Sequence, residues 1–190
     1  HQYAPFFSEL WHKIRNGESL TYSWNIGMGT NFTSLFAYYL ASPSNWFVAL
    51  FPQKYTIEIM NAFIILKIAG SSLSLTYYLT KHNNNKHVIA AIFGMFYGMS
   101  GFIAAYSWNI MWLDCVILIP LIMLGLERLV NENRCIFYCI TLGLCIFTNY
   151  YIAIMVCLSV VIYYVVLMIA YNGIKSPMQY VKKFINFCVY

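Results

Sequence analysis

Charge is what this chain has least of. Lys, Arg, Asp and Glu make up 9% of the residues, with 11 basic and 6 acidic side chains among 190. A soluble domain carries about 25%, so a water-facing globule is excluded. Asp114 is the only aspartate. No period-2 alternation runs through the apolar stretches, which disfavours a β-barrel. The bases form neither a stripe nor a cluster on one polar surface, so nucleic acid is not a partner. There is no P-loop, Rossmann fingerprint, G-x-S-x-G or zincin motif, and GMG at 27–29 is too short to indicate phosphate binding. The six cysteines (Cys115, Cys135, Cys139, Cys145, Cys157 and Cys188) lie in or beside apolar runs without a C-x-x-C. They read as small packing residues, not as a disulfide framework or a metal set.

What the chain has is apolar and aromatic surface, at 61% and 19% of its residues. A bilayer tolerates such surface on every face of a helix. The expectation is an all-α, polytopic transmembrane bundle. Residues 1–55 contain no spanning run and are expected to form a large loop. PFFSELWHKIRNG reads as a short amphipathic helix with Phe6, Phe7, Leu10, Trp11 and Ile14 on one face, turned toward the lipid. Glu9 and Lys13 add weak i,i+4 pairing, and Gly17 ends the helix. SLFAYYLASPSNWFVALFP is broken at Ser42-Pro43 into halves too short to span, which suits re-entrant or interfacial helices. The bundle is expected over 56–190, with spans at about 56–80, 88–105, 113–130, 135–148 and 151–171, and another starting from 184. Residues 135–171 hold no charge and are nearly twice one span, turning at Thr148-Asn149-Tyr150.

Charge placement orients these runs. Lys81, Lys86, Arg128, Arg134, Lys175, Lys182 and Lys183 fall on one face when 135–171 is two spans, and the alternate loops carry no base. The positive-inside rule makes that face cytoplasmic and residues 1–55 external. An external start requires a helix upstream of His1. A chain beginning without Met and ending in FINFCVY is accordingly expected to be a piece of a longer protein.

Two residues lie where charge is costly. Asp114 sits where an external loop enters the third span, either as a functional carboxylate or as a helix N-terminal acid complementing the dipole. Lys67 is eleven residues after Thr56, about 16 Å along a helix. It faces the bundle interior as a phosphate-binding ammonium or as half of an interhelical ion pair. Lys54 and Glu58 read as a surface pair, and Glu127, Arg128, Glu132 and Arg134 as a solvated loop. His82 and His87 lack a third ligand. NFT at 31–33 matches a glycosylation acceptor pattern. YSWNI occurs twice, at 22–26 and 106–110, with no second match around either copy, which argues against duplication.

HQYAPFF, NGESLTYSWNIGMGTNF, AYYLASPSN, YGMSG, WLD, IPLIMLGLERL and TNYYIA occur in that order from residue 1 to about 155. In this the chain resembles the bacterial YfhO-like membrane proteins. The resemblance implies a GT-C type membrane glycosyltransferase. Such an enzyme moves a sugar from a polyprenyl-phosphate carrier to a cell-envelope polymer such as lipoteichoic acid, outside the bacterial cytoplasmic membrane. The first catalytic acid of that pattern precedes the HQYxPF motif, so the chain alone is expected to be inactive. By the same resemblance Asp114 becomes the catalytic candidate and Lys67 the carrier-phosphate ligand. His1, Gln2, Tyr22, Trp24, Asn25 and Asn31 become sugar or acceptor contacts, with Asn149 and Tyr150 added. The resemblance implies no certain cofactor and leaves a divalent cation open, since some GT-C enzymes use one, but nothing here forms a ligand set. Implied partners are the bilayer, the lipid-linked sugar, a teichoic acid-type acceptor and the enzymes that make or flip that donor. A transporter or flippase of lipid-linked intermediates, or a non-catalytic assembly subunit, is the rival reading.

Overall fold

The computed structural model describes residues 3–82 and 87–170, together with Ile185, Phe187 and Val189. His1, Gln2, Lys86, Lys175, Lys182, Lys183, Cys188 and most of the run expected from 184 lie outside the described residues. Helix α1 (Tyr3–Asn16) is followed by a two-stranded hairpin, β1 (Tyr22–Ser23) with β2 (Thr30–Asn31). The short α2 (Phe32–Leu35) widens into a π turn at Phe36–Leu40, and a 3-10 helix covers Pro43–Leu50. Then come α3 (Thr56–His82), α4 (His87–Gly98), α5 (Gly101–Tyr106), α6 (Ile110–Glu132), α7 (Ile136–Thr148) and α8 (Tyr150–Ala170).

Four stretches are long and apolar enough to cross a membrane: Gln53–His82, His87–Tyr106, Ile110–Glu132 and Tyr150–Ala170. At 13 residues, α7 falls short of the ~20 that an upright span needs. Of the four, Ile110–Glu132 is by far the most buried, 61% against 17–28% for the others, so α6 is the axis around which the bundle is built. Its core partners include Tyr138 and Cys145 of α7 and Val156, Val160 and Tyr164 of α8. The large apolar side chains left exposed, Ile65, Leu66, Leu73, Phe96, Leu158 and Ile162 among them, are what lipid requires.

The expected span 88–105 is broken between α4 and α5, where Ser100 is extended (φ −64°, ψ 153°). The break keeps its backbone bonded: Met99 N–H donates to Met95 O and Ser100 N–H to Tyr97 O. Before it, Gly94 and Gly98 let α4 lie against α3. A Cβ at Gly94 would fall 2.6 Å from the Ser72 carbonyl, a small-xxx-small contact of the kind that joins membrane helices. In α6, Pro120 lacks the N–H that would bond the Val116 carbonyl. Tyr97 of α4 supplies the missing donor, its hydroxyl 2.9 Å from Val116 O.

The first loop departs from the expectation of a lipid-facing helix. Phe7 and Leu10 of α1 are fully buried, packed with Phe32, Leu40, Val48, Ile59, Ile110 and Met111. The apolar face of α1 is covered by its own loop and by the ends of α3 and α6, because those elements offer a complementary apolar surface. The Glu9–Lys13 pair is likewise no weak surface contact. Both side chains are under 10% exposed and lie 3.7 Å apart. The Lys13 ammonium also donates to the carbonyls of Ser19 and Tyr22, which pins the hairpin to α1. Lys54 lies 4.7 Å from the Tyr55 ring and makes no ion pair with Glu58 among the described residues.

Candidate functional site

On α3, Lys67, Ser71, Ser74, Tyr78 and His82 recur at four, three, four and four residues, so they share one face. Lys67, Ser71 and Ser74 are buried. This polar stripe faces α6. At one end the Lys67 ammonium donates to Asp114 Oδ2 at 2.6 Å and to the Ile110 carbonyl at 3.3 Å. The two side chains are 5% and 14% exposed. Removal of either partner would leave a charge that the site cannot hydrate, so the two must be neutral as a pair or engaged by a third group.

Above the pair, Asn109 immediately precedes α6, and its Oδ1 accepts the Tyr3 hydroxyl at 2.6 Å. Burial, with Tyr39 and Tyr38 adding to it, pushes the Tyr3 phenol up to about 12, so it stays a donor throughout the neutral range. Asn149, fully buried between α7 and α8, donates to the Tyr38 carbonyl (3.2 Å) and caps α8 by accepting from Ile152 N–H (3.0 Å). Its carbonyl lies 3.9 Å from Cys115 Sγ, next in sequence to Asp114. Tyr150 places its ring 5.8 Å from that of Tyr38. The end of the bundle that holds Lys67 and Asp114 is thus roofed by α1, the π turn and the α7–α8 corner.

The remaining candidates are divided. Asn25 donates to Glu9 Oε2 (3.0 Å) and Ser23 to Glu9 Oε1 (2.6 Å). Asn31 caps α2 by accepting from Thr33 N–H and Ser34 N–H. Asn25 Nδ2 and Asn31 Oδ1 are thereby committed within the loop. Trp24 is 77% exposed, with the Tyr22 ring 4.9 Å away. Among the described residues, no hydrogen bond, ion pair or ring contact joins Tyr22, Trp24, Asn25 or Asn31 to Lys67 or Asp114. Both YSWNI copies are nonetheless held by α1, Asn25 through Glu9 and Asn109 through Tyr3.

No group of three His, Cys, Asp or Glu among the described residues lies close enough to hold a metal. The Lys67 ammonium 2.6 Å from Asp114 takes the position a divalent cation would need. The described residues do not fit one.

A second cluster, which the sequence reading missed, lies at the other end of the α3–α6 interface. Glu127 is buried (8% exposed) instead of lying in a solvated loop. Its Oε1 accepts the hydroxyls of Tyr78 (2.8 Å) and Tyr163 (2.5 Å), and His82 Nδ1 is 3.0 Å away. One carboxylate therefore ties α3, α6 and α8 together. The signal in the sequence is the polar stripe of α3, which runs on from Lys67 to His82 and needs a partner at both ends.

An all-α membrane bundle with a buried ion pair under a folded loop is the class these features define. The family described as "Bacterial membrane protein YfhO" matches the chain over residues 1–190. The chain belongs to that family. No curated protein and no solved structure matches it.

Proposed function

We propose that the chain carries the carrier-phosphate end of a membrane glycosyltransferase site. In this reading a sugar passes from a polyprenyl-phosphate carrier to an envelope polymer such as lipoteichoic acid, on the external face of the cytoplasmic membrane. The observation that carries the reading is the Lys67–Asp114 pair, at 2.6 Å and nearly buried, beneath a roof of loop residues. A buried pair of this kind is a poised exchange. An incoming phosphate gives Lys67 a competing anion, and Asp114 is then released to act as a base.

The proton and electron balance is simple. The acceptor hydroxyl attacks the anomeric carbon, its proton goes to the Asp114 carboxylate, and the carbon–oxygen bond to phosphate breaks. The electron pair leaves on the phosphate oxygen, whose charge the Lys67 ammonium stabilises. Trp24 and Tyr22, both exposed, suit stacking on a pyranose. Asn149 has a supporting role, since both of its amide atoms are engaged, whereas Asn25 and Asn31 each commit one. Tyr150 is half exposed and available to a ligand.

The test is the sugar content of lipoteichoic acid in cells whose intact protein carries Asp114→Asn, at equal protein level. The expected result is loss of the sugar; unchanged glycosylation removes Asp114 from the mechanism. An ion pair at membrane depth equally favours a transport pathway. Purified protein that moves carrier lipid across liposomes without transferring sugar would establish that reading instead.

A further inference from the structure

At the end of α3 and α6 away from Asp114 lies a cavity of about 390 Å³, within the ~300–1,000 Å³ of small-molecule pockets. Lys81 and His82 of α3 and Arg128 of α6 line it, and Leu124 of α6 with Leu167 of α8 gives it an apolar wall. The two acids in the lining are already engaged. Glu127 accepts from Tyr78 and Tyr163 and has His82 beside it, and Glu132 is paired with Arg134 at 3.4 Å. Lys81 and Arg128, by contrast, have no acidic partner within 4 Å among the described residues. Each lies over an aromatic ring instead, Lys81 at 5.9 Å from Tyr77 and Arg128 at 5.2 Å from Phe137.

The C-terminal ends of α3 and α6 point toward this cavity, and their partial charges of about half a unit each oppose an anion. Two formal cations stand against them, with Glu127 turned to its tyrosine donors and Glu132 to Arg134. An ammonium and a guanidinium beside an apolar wall, at the ends of spanning helices, recognise a phosphate that carries a hydrocarbon tail. We propose that this cavity binds the phosphodiester headgroup of a membrane phospholipid, with the phosphate between Lys81 and Arg128 and the glycerol end against Leu124 and Leu167. The site is separate from the Lys67–Asp114 pair and does not depend on the activity assigned to it.

The experiment is native mass spectrometry of the intact protein after exchange from phosphatidylglycerol-containing nanodiscs into detergent. The parent protein is compared with the double variant Lys81→Gln/Arg128→Gln and with Lys54→Gln, which removes a base just before the start of α3. The expected result is at least a tenfold fall in retained phosphatidylglycerol in the double variant, an unchanged melting temperature, and retention like the parent's for Lys54→Gln. A double variant that has lost its fold is replaced by the single variants, each expected to lower retention severalfold. Equal retention in parent and folded variants overturns the site. Displacement of the lipid by millimolar inorganic phosphate overturns the lipid assignment and makes the ligand free phosphate. Equal retention of a phosphate-free diglyceride overturns the role of the phosphate.

Discussion

The two ends of the α3–α6 interface solve the same problem in different ways. At one end a lone carboxylate, Asp114, meets a lone ammonium, Lys67, at 2.6 Å. At the other, Glu127 is shared among two tyrosine hydroxyls and a histidine, contributed by α3 and α8. The first arrangement is concentrated: each charge has one principal partner, and a competing ion can take that partner away. The second is distributed, so losing one donor leaves the others in place. Concentrated pairing suits a site that must open to a ligand, whereas distributed pairing suits a joint that holds three helices.

Breaking the concentrated pair should have the largest effect. Asp114→Ala leaves an ammonium buried without its counter-ion, which costs about 3–5 kcal/mol and should appear as a large fall in the melting temperature of the detergent-solubilised protein. The double variant Lys67→Met/Asp114→Leu removes both charges and should recover most of that stability, while under the proposed function glycosylation should stay absent. Recovery of both stability and glycosylation would show that the pair only joins α3 to α6.

The distributed end should respond less. Glu127→Gln keeps one acceptor oxygen but loses the charge that strengthens each bond, at a cost of about 2 kcal/mol, since hydrogen bonds to charged groups contribute about 1.5–3. Tyr163→Phe removes one donor of the cluster and should cost about 1 kcal/mol. Combining it with Tyr78→Phe should cost more than the two single effects added, because Glu127 then depends on His82 alone among the donors at hand. Strict additivity in a thermal-shift double-mutant cycle would break the contrast between the two ends.

The sequence made the membrane setting legible through composition alone, and it placed Lys67 and Asp114 at depths where charge needs a partner. It did not pair them. Hydropathy carries no information about which face of one helix meets which face of another, and only the spacing from Lys67 through Ser71 and Ser74 to Tyr78 hints at it. Glu127 was lost for a related reason. Beside Arg128 and close to NENR it resembles the edge of a solvated loop, whereas α6 runs on to Glu132 and keeps Glu127 inside the bundle. The burial of α1 was hidden because an amphipathic pattern specifies an apolar face without saying whether lipid or protein covers it. Phe7 and Leu10 are covered by Phe32, Leu40 and Val48, residues of the polar-aromatic loop whose fold no periodicity announces.

The last effect, of similar size, concerns the roof over the concentrated end. Tyr3→Phe deletes the hydroxyl that Asn109 accepts at 2.6 Å and leaves a buried amide oxygen without that donor, at a cost of about 1–2 kcal/mol. The pH dependence gives the burial of Tyr3 its own signature. The phenol is raised from 10 to about 12 in the folded chain, chiefly by burial, so folding disfavours the phenolate. The stabilising contribution is complete below pH 10 and is lost as pH rises from there toward about 12. Melting temperatures measured between pH 9 and about 12 should therefore fall more steeply for the parent than for Tyr3→Phe, which has no phenol to ionise. Parallel curves would mean that the Tyr3 ring is not buried in solution. The roof would then be only loosely attached to the helix that carries Asp114, so that a donor could reach the pair without displacing any hydrogen bond.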